Sequence, residues 1–274
     1  MTTNTVINAS QDPSLANKLA MEAMALTDQE AAVKSTKLEI TMPPDTTVKL
    51  PGGLYDPFDG LITTAEVREL NGVDEEAISK VNDIGKSLLL ILERATVKIG
   101  DKPATKELLD SLYAGDREMI LLGIRKVTFG NTVKMGPWEC TGCGEAQVFT
   151  VNLDENVDIK ELNGEREFTV DCKVGPVVAT LPKGALQKAI VDSSNKTSAE
   201  LDTILLKQCI ISINGNDLLD QEAVRRLSIQ DRRTLLKEIT DRNPGPQLGD
   251  IKSSCSSCGQ EVPLPLTLAD LFRE

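Results

Sequence analysis

The stretch ECTGCGEAQ, residues 139–147, carries two cysteines two residues apart with a glycine directly behind them. The stretch SSCSSCGQE, residues 253–261, repeats the arrangement 115 positions downstream. Each is C-x-x-C-G. The first thiolate precedes a tight turn and the second follows it. The glycine lets the backbone bend so that its amides face the sulfurs. One such knuckle supplies half of a tetrahedral zinc site, and two knuckles facing each other supply all of it. Cys140, Cys143, Cys255 and Cys258 are therefore the candidate metal ligands, with structural zinc as the expected ion. The separation exceeds that of a compact zinc ribbon. The competing reading is two reduced, metal-free turns or two redox-active dithiols. A redox dithiol usually opens a helix in a βαβ setting. Here Cys140 and Cys143 lie between the strand-like stretches NTVKMGPW (131–138) and AQVFTVNL (146–153). Cys172 and Cys209 have no partner at ligand spacing and read as small buried hydrophobes.

The same offset relates more than the cysteines. Sliding 108–153 onto 223–268 makes ten of 46 positions identical, among them Leu112/Leu227, Asp116/Asp231, Arg117/Arg232, Gly130/Gly245 and Leu153/Leu268. Chance would give about three. Asp116 and Asp231 stand where a helix would start, with Asp116 a candidate N-cap. Gly130 and Gly245 stand just past where those helices would end. Fainter similarity extends upstream. The expected fold class is α+β: two tandem copies of a strand–helix–zinc-knuckle unit, residues 37–153 and 154–274, joined by a four-cysteine zinc-ribbon site. Residues 1–36 form an N-terminal arm in which SLANKLAMEAMAL (14–26) is a candidate partner-docking helix; the competing reading is a mobile terminus.

Local signals fill in the units. MPPDTTVKLPGGLYDPFDG (42–60) reads as a turn-laden loop ordered by packing of Leu54, Tyr55 and Phe58; left exposed, those residues would instead mark a contact surface. TTAE (63–66) and TSAE (197–200) are capping-box signals. Ile78, Val81, Ile84, Leu88 and Ile91 at spacings of three and four predict one helix over 74–95. Near-alternation over 156–172 around Asn163-Gly164 predicts a hairpin there. Phe272 is expected to pack on the ribbon.

Composition narrows the chemistry. There is no histidine, which removes imidazole acid–base catalysis and every imidazole zinc site. The formal charge of −12 argues against a nucleic-acid groove or an anionic membrane surface as main partner. Aromatic content is 3%, so aliphatic residues must fill the core. The longest apolar run, LLLIL (88–92), is too short for a membrane span. The opening residues lack the basic-then-apolar pattern of a secretory signal, so a reducing cytoplasm is the expected compartment. No phosphate-binding loop and no G-x-S-x-G elbow occurs. Zinc held by four thiolates has no open position for water, so its role would be folding rather than catalysis. The expectation is a non-enzyme.

The order LPGGLYDP, GKSLLLILERATV, DREMILLGIRKVTFG, CTGCG, DRRTLLKEI, NPGP, CSSCG and LPLTLADLF resembles the baseplate hub assembly chaperone family of contractile-tailed bacteriophages, over residues 38–274. The resemblance implies a hub assembly chaperone or minor baseplate component. Its partners would be hub or other tail proteins, and its locations the host cytoplasm during assembly and the virion tail. It brings no catalytic residues, and only the four cysteines carry over as functional positions. The alternative is a zinc-ribbon adaptor near nucleic acid or transcription. Against it, Lys134, Trp138 and Lys252 are the only basic or aromatic flanks of the knuckles.

Overall fold

Asp116 shows how the first half is assembled. The computed structural model describes residues 46–193, 196–217 and 221–272. Strand β1 (Thr47–Asp56) pairs antiparallel with β2 (Gly60–Val67), and its register slips between Lys49 and Leu54, where LPGG bulges. The bulge turns the Gly52 N–H toward the Asp116 carboxylate, which accepts it at 2.7 Å. A side chain at Gly52 would lie 2.8 Å from Asp116 Oδ2 and from the Tyr113 ring, so glycine is required. The expected loop over 42–60 is thus largely a strand. Ladder pairing also claims TTAE: Ala65 and Val67 point into the core from β2, and the capping signal there is overridden.

Helices α1 (Gly72–Ile78) and α2 (Ile84–Ala95) replace the single helix expected over 74–95. Asn71 and Asp74 form a capping box on α1, and Asp83 accepts from Lys86 N–H to start α2 afresh. Buried Asp74 is held by Arg68 at 2.6 Å and Arg94 at 2.7 Å. The Arg68 guanidinium is the main reason its carboxyl lies well below the usual range. Strands β3 (Thr96–Ile99) and β4 (Lys102–Pro103) complete a sheet of order β1-β2-β3-β4. Helices α3 (Lys106–Ser111) and α4 (Ala114–Phe129) follow, then the hairpin β5 (Thr132–Glu139) and β6 (Ala146–Asn152). Val48, Leu50, Ile91, Leu92, Ile99, Leu112 and Ile120 belong to one apolar core between this sheet and its helices.

Strand β7 (Ile159–Lys160) does not enter the expected hairpin around Asn163-Gly164. β8 (Glu167–Cys172) pairs with β9 (Gly175–Thr180) instead, turning at Lys173–Val174. Gly164 has φ 101° and separates two sheets rather than closing one. Helices α5 (Gly184–Val191) and α6 (Ser198–Cys209), strands β10 (Ile210–Ile213) and β11 (Asn216–Asp217), and helices α7 (Gln221–Arg226) and α8 (Ile229–Arg242) follow. The sheet order is β8-β9-β10-β11, again all antiparallel. Here TSAE does cap: Glu200 accepts from the Thr197 N–H at 2.9 Å. β12 (Gly245–Pro246) pairs with β7, and a 3₁₀ turn (Leu248–Asp250) leads into the hairpin β13 (Lys252–Ser254) and β14 (Glu261–Pro263). The second sheet and its helices have their own core, including Phe168, Val177, Leu206, Leu235 and Ile239.

The architecture is mixed α and β, with eight α-helices and several small sheets among the described residues. A run of strand–strand–helix–helix–strand–strand–helix–helix precedes each knuckle hairpin, with β12 and the 3₁₀ turn intervening before the second. The Asp-Arg pair makes matching contacts in both. Asp231 accepts the Lys173 N–H at 2.8 Å, as Asp116 accepts that of Gly52. Arg117 donates to Leu109 O at 3.1 Å and Arg232 to Val224 O at 3.4 Å, each eight residues back. Neither aspartate is the N-cap. Tyr113 and Ser228 hold that position, and the carboxylates sit in the first turn, where the helix dipole favours a negative charge. The expected arm, residues 1–36, lies outside the described residues.

Candidate metal centre

The strand β5 ends at Glu139, Cys140 follows it, and Thr141-Gly142 turn the chain to Cys143. The Gly144 N–H donates to Cys140 O at 2.8 Å, and the Cys140 N–H to Glu145 O at 2.9 Å. Gly144 has φ 74°, which L side chains adopt only with strain. The second knuckle repeats this bond for bond. The Gly259 N–H donates to Cys255 O and the Cys255 N–H to Gln260 O, each at 2.9 Å, and Gly259 also has φ 74°. In the first knuckle the Gly142 N–H points at Cys140 Sγ, 3.3 Å away.

All four sulfurs lie within 4.8 Å of one another. The two close approaches each join one knuckle to the other: Cys140 to Cys258 at 3.6 Å and Cys143 to Cys255 at 3.7 Å. These are too long for a disulfide. They match the roughly 3.8 Å edge of a tetrahedron with zinc–sulfur bonds of about 2.3 Å. Cys140 and Cys255 are buried while Cys143 and Cys258 face outward. The donor set therefore fits a four-thiolate metal and leaves it no protein-free position. Without a cation the sulfurs compete for protons. The Cys258 amide favours the Cys255 thiolate, bringing it down to about 6. The Gln260 amide favours the Cys258 thiolate too, but partial desolvation by the adjoining knuckle and the three neighbouring sulfurs outweigh it and push that thiol up to about 12. A dication is the charge that relieves such competition.

A third apolar core underlies the cluster and draws on both halves. It contains Val133, Phe149, Val151 and Leu153 from the first hairpin and Ile251, Val262, Leu264, Leu266 and Leu271 from the second region, with Trp138 and Phe272 packed against it. Phe272 thus lies on the ribbon, as its sequence position suggested. Gln147 on β6 adds a clamp that no sequence pattern marks: its Oε1 accepts from Ser256 Oγ at 2.6 Å and from Ser256 N–H at 3.2 Å. The position 115 residues on is Val262, so the duplicated pattern gives no hint of it.

The remaining cysteines are elsewhere. Cys209 is fully buried, and burial pushes its thiol up to about 12. Cys172 ends β8, half-buried, with its thiol raised first by burial. A cleft of about 530 Å³ between α1, α4 and Phe272 is lined by a single titratable side chain, Glu75, so it offers no acid–base pair. Among the described residues no helix is long and apolar enough to cross a membrane.

No curated protein and no solved structure matches the chain. A family model described as T4 bacteriophage base plate protein matches residues 61–273, a span containing both knuckles. The chain belongs to the T4 bacteriophage base plate protein family, a phage baseplate family.

Proposed function

We propose that this chain is a non-catalytic baseplate protein made of two copies of one unit, residues 37–153 and 154–274, stapled by a single structural zinc on Cys140, Cys143, Cys255 and Cys258. It acts by binding other tail proteins, as a hub assembly chaperone or a minor structural component. The observation that carries this reading is the convergence of two knuckles from distant parts of the chain into one group of sulfurs. The matched contacts of Asp116 with Asp231 and of Arg117 with Arg232 support descent of the halves from one unit. Zinc would supply no reactive chemistry in a closed four-thiolate shell; it would hold the two hairpins together.

Little favours a nucleic-acid adaptor. Trp138 is packed into the ribbon core, and Lys252 lies 3.8 Å from Glu261. The deciding experiment is elemental analysis with native mass on freshly reduced protein. One zinc per monomeric chain is expected. Metal-free reduced protein, or one zinc shared by a dimer, contradicts the intrachain staple. Mass spectrometry of purified particles then separates the two roles: a structural component persists in the mature tail, whereas a chaperone is absent from it.

A further inference from the structure

The chain has eight aromatic side chains, and the two most exposed share one turn. Phe58 at the tip of the β1–β2 hairpin is 93% exposed and Tyr55 is 67% exposed. Leu61, the direct cross-strand partner of Tyr55, is 55% exposed. Their neighbours in the ladder, Leu54 and Ile62, face the core, so Tyr55 and Leu61 stand on the solvent face by strand alternation. Three adjacent apolar side chains at one apex, in a protein short of aromatics, are not explained by folding.

The apex is also rigid. Asp56 Oδ1 accepts the Phe58 N–H at 2.9 Å and the Asp59 N–H at 3.2 Å, closing an Asx turn. Pro57 fixes its own φ within that turn. Lys102, reaching over from β4, binds Asp56 at 2.5 Å and Asp59 at 2.8 Å. The backbone that carries Phe58 is therefore ordered before any encounter, which lowers the loop-ordering part of the cost of binding. Charge selects the partner. Asp56 and Asp59 share the one Lys102 ammonium, and Asp101 is exposed next to that lysine, so the tip is net negative on a chain of net charge −12. An anionic lipid surface and a second copy of this chain would both repel it.

We propose that the β1–β2 hairpin tip, with Phe58 as anchor and Tyr55 and Leu61 as flanks, plugs into an apolar socket with a basic rim on another baseplate protein. The proposal rests on the baseplate-binding reading above and adds the surface and the chemistry of its partner. The anchor is the kind of side chain that dominates binding once desolvated.

The test uses the full chain, wild type and Tyr55→Ser/Phe58→Ser. The probes are the individually purified baseplate proteins of the same phage, and vesicles of phosphatidylcholine with phosphatidylglycerol. Binding to at least one baseplate protein is expected, weakened roughly 30-fold by the double substitution and weakened also by added salt. Metal content and melting temperature should be unchanged, since the substituted groups are exposed. A wild-type partner that binds both forms equally overturns the hairpin proposal and leaves the baseplate reading standing. Failure of the wild type to bind any baseplate protein overturns both. Hairpin-dependent binding to vesicles, or a hairpin-dependent rise in native mass, overturns the proposal in favour of a lipid surface or self-association.

Discussion

Asp116 is a buried carboxylate under electrostatic tension. Burial raises its carboxyl to about 6, against the pull of the Gly52 and Gly53 amides and of Arg166, with Glu161 adding to the rise. One oxygen, Oδ2, is buried with no hydrogen-bond partner. A group whose folded value is raised binds its proton more tightly in the native state. The penalty for ionising Asp116 is therefore absent below pH 4, grows as pH rises, and is complete above about 6. Its size is at most about 3 kcal/mol. Asp116→Asn keeps an acceptor for the Gly52 N–H but cannot ionise. Urea unfolding at several pH values should show the wild type losing stability relative to this variant between pH 4 and 6. A constant difference across that range would mean the carboxyl is not strained in the folded chain.

At the scale of elements, the two halves meet where backbone touches backbone. A side chain at Gly115, in the first turn of α4, would lie 1.6 Å from the Pro244 carbonyl oxygen beside β12. Nearby, the Ala114 N–H donates to Pro182 O and the Gly184 N–H to Leu112 O, both at 2.8 Å. Gly115→Ala should cost about 3 kcal/mol, the upper range for overpacking, because the obstacle is backbone and cannot rotate away. Gly249→Ala, with nothing within 4 Å of the added carbon, should change stability by less than about 0.5 kcal/mol. Equal midpoints for the two variants in thermal or urea melts would refute this account of the junction. Several element boundaries were not legible locally. Asn71 and Asp83 both make caps, so the apolar spacing over 78–91 spans two helices. TTAE and TSAE carry the same local signal, yet only the second lies where no neighbouring strand competes for it.

For the whole molecule, the relevant quantity is the chain between the knuckles. On the zinc-staple proposal, a metal joining segments about 115 residues apart would remove roughly 4–5 kcal/mol of unfolded-state freedom in the chain-entropy picture, and its coordination would add its own binding energy. The two four-stranded sheets have separate cores, whereas the knuckle hairpins share one. Chelation under reducing conditions should therefore lower the melting temperature and raise hydrogen exchange first in β5–β6 and β13–β14. The sheets β1–β4 and β8–β11 should keep their protection longest. Uniform protection after metal removal would show that packing alone holds the ribbon.

The four candidate ligands, the Asp-Arg pair and the knuckle glycines were legible in the sequence, because ligand type, tight turns and left-handed backbone are set by residue identity and short spacing. The recurrence at one offset marked the positions whose contacts match, Asp116 with Asp231 and Arg117 with Arg232, for the same reason. Tertiary structure alone decided what depends on neighbours distant in sequence: that LPGG is a bulge facing Asp116, that Asn163-Gly164 separates two sheets instead of closing a hairpin, that Gln147 clamps the opposite knuckle, and that Phe58 stands free while Phe149 is buried. Strand pairing, close backbone approach and burial are properties of pairs of segments. No single segment encodes them, so they become definite only when the chain is folded.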